Sequence, residues 1–253
     1  MSKMFNGEVA LITGASSGIG RAVAMAFGAE GARVAVSGRN SEELAKTVNM
    51  VSTNGGEAFA VKADVSKTAD VQAMVAKTVE HFGALNFAIN NAGVAGDVFV
   101  PTVNYSETTW DNVIGINLKG VFLCMKYALP HLLATKGSIV NIASTSGLVA
   151  GPIGCAYVAS KHGVVGLTKA AALEYADKGV RINAVAPAVI LTEMTERGGI
   201  NDPAIAAMMV AKHPMGRIGR PEEVANAVLW LCSKGASFTT GHTLAVDGGW
   251  LIP

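Results

Sequence analysis

Charge is scarce in this chain. Only 15% of its 253 residues are Asp, Glu, Lys or Arg, and they nearly cancel to a formal net charge of +1. Without a surplus of one sign there is no electrostatic case for nucleic acid or an anionic membrane as a partner. The three cysteines (Cys124, Cys155, Cys232) are scattered and form no C-x-x-C. That argues against a disulfide framework and for buried thiols in a reducing compartment. The five histidines show no metal-ligand spacing, so no metal is expected. No long apolar signal region stands at the N-terminus. The longest uncharged run, Gly137 to Ser160, contains four Gly, one Pro and several hydroxyls, a poor composition for a membrane span. The Asn104-Tyr105-Ser106 sequon has no other secretory feature beside it. The expectation is a soluble, cytoplasmic protein.

What is present is apolar. Half of the residues are hydrophobic, enough for a large core, and the length fits one α/β domain, 1–253. Val9–Thr13 is a short continuous apolar run, as in a strand buried on both faces of a parallel sheet. It leads into Gly14-Ala-Ser16-Ser17-Gly18-Ile19-Gly20 and then a helix, Arg21–Glu30. Strand, glycine turn and helix form the context of a phosphate-binding turn, with glycines for close backbone approach and free N–H groups at the helix start.

Alternation continues to the end of the chain. Strands are expected at Arg33–Ser37, Ala58–Lys62, Phe87–Asn90, Ser138–Ile142, Arg181–Ala186 and Thr243–Val246. Helices are expected at Ser41–Asn54, Lys67–His81, Ser106–Leu133, Cys155–Asp177 and Pro221–Ser233, with Pro221 at an allowed first-turn position. Thr192–Pro214 lacks a clear period and reads as a mobile lid. This pattern predicts a Rossmann-like doubly wound parallel sheet with helices on both faces. Ligands on such sheets bind at the carboxyl ends of strands. Gly14, Asn91, Ser144 and Pro187 all follow strand ends.

Tyr157 and Lys161 are four apart in a helical run, so they share a face. A tyrosine with a pKa near ~10 is a poor acid or base at neutral pH, and a fixed cation beside it favours the phenolate. Ser144, just past a strand, can place its hydroxyl near the same carbonyl oxygen. Such a set suits interconversion of an alcohol and a ketone. Taken alone, the same spacing also describes an ordinary solvated pair. Asn117 lies inside a predicted helix, where its amide competes for backbone groups. It either bonds a neighbouring loop or serves the site.

These residues together resemble the short-chain dehydrogenase/reductase family over nearly the whole chain. Thr13-Gly-Ala-Ser-Ser-Gly-Ile-Gly20, Asn90-Asn-Ala-Gly93, Asn117, Ser144, Tyr157-x-x-x-Lys161, Asn183-Ala-Val-Ala-Pro187 and Thr240 to Trp250 stand in the family's order. The resemblance implies Tyr157 as general acid/base, with Lys161 lowering its pKa and holding the nicotinamide ribose. It implies that Ser144 polarises the substrate oxygen and that Asn117 positions a water relaying protons through Lys161. Asp64 and Val65 would border the adenine, Asn91, Ala92 and Gly93 would line the cofactor's middle, Ile190 and Thr192 would hold the nicotinamide carboxamide, and Pro187 would also contact the cofactor. Ala188 stands where the family usually has Gly, so a shifted ring or narrowed pocket is expected, with activity retained.

Cofactor choice turns on the end of the second strand. An NAD enzyme of this build places a carboxylate there. Here Ser37, Gly38 and Arg39 follow, leaving room for a 2′-phosphate and an arginine fork to pair with it. A second basic residue seen in NADP-using relatives is absent, since Ser17 takes its place, and Arg39 alone could be an ordinary loop arginine. The missing acid favours NADP(H) over NAD(H).

The expected substrate is a hydrophobic ketone or secondary alcohol, because Met194, Met208, Met209 and Met215 offer an adaptable wall unless they only pack the lid down. A 3-oxoacyl-carrier-protein reductase is the main alternative, disfavoured by the few lid cations (Arg197, Lys212, Arg217, Arg220). An NAD-dependent alcohol, sugar or diol dehydrogenase is another. A dinucleotide-binding regulator without chemistry is remote, since such proteins typically lack the Tyr or the Lys. By resemblance, small residues along the Tyr157 helix and apolar ones on the last helix pair across two-fold axes into a homotetramer.

Overall fold

The computed structural model describes residues 3–151 and 153–252. Seven strands form one sheet in the order β3-β2-β1-β4-β5-β6-β7, every adjacent pair parallel. They are β1 (Val9–Thr13), β2 (Arg33–Gly38), β3 (Glu57–Lys62), β4 (Phe87–Asn90), β5 (Ser138–Ile142), β6 (Arg181–Pro187) and β7 (Thr243–Val246). β1, β4 and β5 are buried at every residue, which is why they read as unbroken apolar runs.

Helices cover both faces, each over its own core. α1 (Gly18–Ala29), α2 (Ser41–Thr53) and α9 (Pro221–Cys232) pack on one face through Val23, Phe27, Leu44, Val224 and Val228. α3 (Thr68–Phe82), α5 (Gly120–Thr135) and α6 (Cys155–Tyr175) pack on the other through Val71, Met74, Leu132 and Val164. The strand order reverses between β1 and β4, so a crevice opens at their carboxyl ends.

Three segments depart from the sequence reading. α1 begins at Gly18, inside the glycine turn, so its first N–H groups belong to the turn itself. The helix expected over Ser106–Leu133 is α4 (Glu107–Ile114), a π-helical turn (Gly115–Lys119) and α5. By length and hydropathy Glu107–Thr135 could cross a membrane, but over half of its most apolar window is buried in the fold. Thr192–Pro214 is not structureless. It holds α7 (Glu193–Arg197), started by a Thr192–Thr195 capping box, and α8 (Pro203–Ala211), capped by Asp202. α8 is too uniformly apolar to show a period.

Candidate active site

The glycine turn is built around backbone contacts that leave no room for side chains. Gly14 has φ +65°, and a Cβ there would meet the Ala92 Cα at 2.8 Å. A Cβ on Gly20 would collide with the Gly14 carbonyl oxygen. Asn91 locks the turn to β4: its Nδ2 donates to the Thr13 and Gly14 carbonyls at 3.0 and 3.1 Å. Thr13 Oγ1 accepts from the Asn91 and Ala92 amides. Arg21 clamps the far side, donating to the Ser16 carbonyl and pairing with Glu43 at 2.7 Å.

A cleft of about 1080 Å³ runs from this turn across the strand ends. Gly14, Ser16, Ser17, Gly18, Ile19, Ser37, Arg39, Asp64, Val65, Asn91, Ala92, Gly93 and Thr192 all line it. A second cavity of about 260 Å³ adjoins it, sharing Ile19, Asn91, Gly93, Thr192 and Met194. Ser144, Tyr157, Lys161, Pro187 and Ile190 line this smaller space, as does the Ala188 methyl.

Two expected residues reach neither cavity. Gly20 packs behind the turn. Asn117 is fully buried in the π-helical turn, where its Oδ1 accepts from the Val94 amide at 2.9 Å. Its Nδ2 donates to the Val94 carbonyl at 2.9 Å and to Ser160 Oγ at 3.2 Å, and Ser160 donates onward to the Tyr157 carbonyl at 2.7 Å. The asparagine therefore bonds the neighbouring loop, and through Ser160 it ties that loop to α6. It also stays near the site: a Cβ on Gly93 would lie 3.3 Å from its Oδ1 and 3.7 Å from Lys161 Nζ.

α6 brings Tyr157, Ser160, Lys161, Val164 and Thr168 onto one buried face, as helical spacing requires. The Ser144 hydroxyl donates to the Pro187 carbonyl at 3.5 Å, accepts from the Ser146 amide at 3.1 Å, and lies close enough to the Tyr157 phenol to favour its ionised form. Lys161 Nζ donates to the Ile142 carbonyl at 2.8 Å and sits 5.6 Å from the Tyr157 ring centre.

The expectation that Lys161 brings the phenol's pKa down is not met in the chain itself. Burial raises the Tyr157 pKa, with the Ser144 hydrogen bond offsetting part of the rise. Burial also pushes the Lys161 ammonium down to about 8. Both groups lose water, which disfavours the charged form of each. The site thus offers a protonated phenol and a hydroxyl aimed at one point, above a nearby cation.

Cofactor fit can be judged at both ends of the larger cleft. Ser17, at the N-cap of α1, makes no side-chain cap, so the first α1 amides are left for an anion. At the other end the Ser37 hydroxyl is buried without a hydrogen-bond partner, beside the exposed Arg39. Among the described residues Arg39 is in no ion pair. Burial raises the Asp64 pKa, but the Ser66 hydrogen bonds and the Arg39 and Lys67 charges outweigh it and keep the carboxyl ionised. A dinucleotide fits this donor set.

Sequence reasoning missed several wall residues. Val98, Phe99, Ile153, Ile200, Ile205 and Trp250 line the smaller cavity, with Met194 and Met209 from the lid. Met208 and Met215 do not line it and are exposed. Trp250 is held in place by Lys212 Nζ, 5.2 Å above its ring, and by the His213 ring at 4.9 Å. Its position at the end of a motif gave no hint of where it folds back.

Comparison with known proteins agrees with this geometry. A family model described as enoyl-(acyl carrier protein) reductase matches residues 14–251. The chain is 48% identical to the cyclohexanol dehydrogenase of Acinetobacter sp. (strain SE19), covering 99% of this chain and 97% of that protein. It is 41% identical to the 3-oxoacyl-[acyl-carrier-protein] reductase of Staphylococcus aureus (strain Mu50), covering 95% and 96%. The crystal structure of levodione reductase superposes with a TM-score of 0.94 at 38% identity, covering 97% and 98%. The chain belongs to the short-chain dehydrogenase/reductase family and is an NAD(P)-dependent oxidoreductase of alcohol groups.

Proposed function

We propose that this enzyme interconverts small alicyclic ketones and secondary alcohols, with NADPH as the preferred reductant. The observation that carries the reading is the smaller cavity. At about 260 Å³ it lies below the usual range for drug-sized ligands. Part of it adjoins the cleft, and its walls are Val98, Phe99, Ile153, Met209 and Trp250. A compact apolar body suits such walls. The name of the cyclohexanol dehydrogenase relative points the same way.

The cofactor supplies or accepts the hydride. Gly14 to Ile19 at the start of α1 hold its pyrophosphate, Asp64 and Val65 border the adenine, and Asn91 to Gly93 support the middle. Ile190 and Thr192 hold the carboxamide, and Pro187 lines the cavity beside it. Ser37 and Arg39 receive the 2′-phosphate, and no carboxylate within that strand end repels it. Ser144 hydrogen-bonds the carbonyl oxygen, and Tyr157 gives it a proton in reduction and removes one in oxidation. Lys161 binds the ribose, and Asn117, whose amide is spent on Val94 and Ser160, holds the loop and α6 in place beside it.

The same reading makes the chain one cytoplasmic domain that assembles as a homotetramer. Support comes from exposed apolar side chains on the two helices that the resemblance expects to pair, Leu173 on α6 and Trp230 on α9.

A second reading, reduction of a 3-oxoacyl carrier thioester, is favoured by the Staphylococcus aureus relative. The lid offers few cations for an acidic carrier, and Arg217 is already paired with Glu223 at 2.6 Å. Steady-state kinetics on cyclohexanone and on an acetoacetyl thioester, each with NADPH and NADH, separate the two. We expect higher kcat/KM for cyclohexanone and lower KM for NADPH. A preference for the thioester, or for NADH, overturns the corresponding half.

A further inference from the structure

Among the described residues only Phe99 and Lys136 adopt positive φ without being glycine. Lys136 (φ +51°) has an evident reason: it ends α5 in a left-handed cap, donating its amide to Leu132. Phe99 (φ +59°) ends no helix. Its side chain is also 57% exposed. A bulky residue in the left-handed region is strained, and one left more than half exposed recovers little of that cost by burial. Folding alone therefore explains neither its backbone nor its side chain.

The loop that carries Phe99 is nevertheless firmly anchored. Asn117 grips it at Val94 through both backbone groups. The Asp97 amide donates to the Tyr105 hydroxyl at 3.2 Å. Gly96 is packed so closely that a Cβ there would lie 2.5 Å from the Tyr105 oxygen. Strain of this kind persists where the surroundings over-determine it, and it gathers at functional sites. Here it places Phe99 on the wall of the cavity that Ser144 and Tyr157 also line.

We propose that Phe99 is a specificity-determining residue: its ring forms the outer wall against which the apolar body of the substrate packs. The left-handed backbone is what points it there. This deepens the reading of the smaller cavity as an alicyclic ketone site and rests on it.

The test uses Phe99→Gly and Phe99→Ala in the full chain. Glycine relieves the backbone and alanine does not, so Phe99→Gly should melt about 2–4 °C above both wild type and Phe99→Ala. Both variants should raise KM for cyclohexanone about tenfold, the loss of part of a phenyl contact. KM for acetone, too small to reach the wall, and the dissociation constant for NADPH should stay near wild type. Equal KM values for cyclohexanone in all three proteins overturn the proposal, as does a Gly variant no more stable than the Ala variant. A KM rise shared equally by acetone points to a disordered loop and also overturns it. If wild type reduces no ketone, the alicyclic reading fails and this proposal with it, whereas the first two results leave that reading standing.

Discussion

Tyr157 and Lys161 were legible from their spacing and from their place in a helical run. The direction of their pKa shifts was not, because spacing says nothing of how much water each group loses. That loss makes a stability prediction. Lys161 has a folded pKa of about 8, below its ordinary 10.5. The unfolded chain therefore binds more protons between those values, and wild-type stability gains with pH across that window. Lys161→Met removes the titration at the expense of one hydrogen bond to Ile142. From pH 8 to 10, wild type should gain about 2 kcal/mol relative to the variant. Denaturant melts of both proteins across this range check it, and parallel curves would show that the buried ammonium carries no such penalty. Trp250 and Phe99 stayed hidden for a different reason. Their roles depend on where a chain end and a loop tip return, which no local pattern encodes.

At the scale of elements, every strand was readable: burial on both faces writes an unbroken apolar run in β1, β4 and β5, and the half-exposed edge strands β3 and β7 are short runs placed by the alternation with helices. The break in the Ser106–Leu133 region was not, because a π-turn keeps helical composition and shifts the register by only one residue. Asn117 was the visible clue: a poor helix former that proves to be fully bonded inside that turn. Its removal should loosen the loop from Val94 to Phe99. Asn117→Ala leaves the Val94 amide and carbonyl unpaired, at a cost of about 2–3 kcal/mol. We expect Tm to fall by roughly 5–10 °C, with amide exchange at Val94 accelerated. An unchanged Tm would mean that water replaces the side chain and that the turn does not depend on it. The lid was underestimated for the opposite reason: α8 is apolar on all sides, so periodicity could not reveal it.

At the scale of the whole molecule, the sheet order places the switch point between β1 and β4, and the glycine turn, Asn91, Ser144 and Pro187 converge on its carboxyl edge. Assembly is read from what this packing leaves uncovered. Leu173 is almost wholly exposed and lies on α6, one of the helices by which the resemblance expects copies to pair. Light scattering at micromolar concentration should give four times the mass of the 25.9 kDa chain, and a monomer mass would contradict that pairing. The central claim is that Tyr157 exchanges the proton while the cofactor carries the hydride. The most direct measurement is turnover of Tyr157→Phe on every substrate that wild type accepts, alongside its NADPH dissociation constant. The account predicts kcat lower by about 10²–10⁴, with cofactor binding near wild type. Unchanged turnover would contradict it.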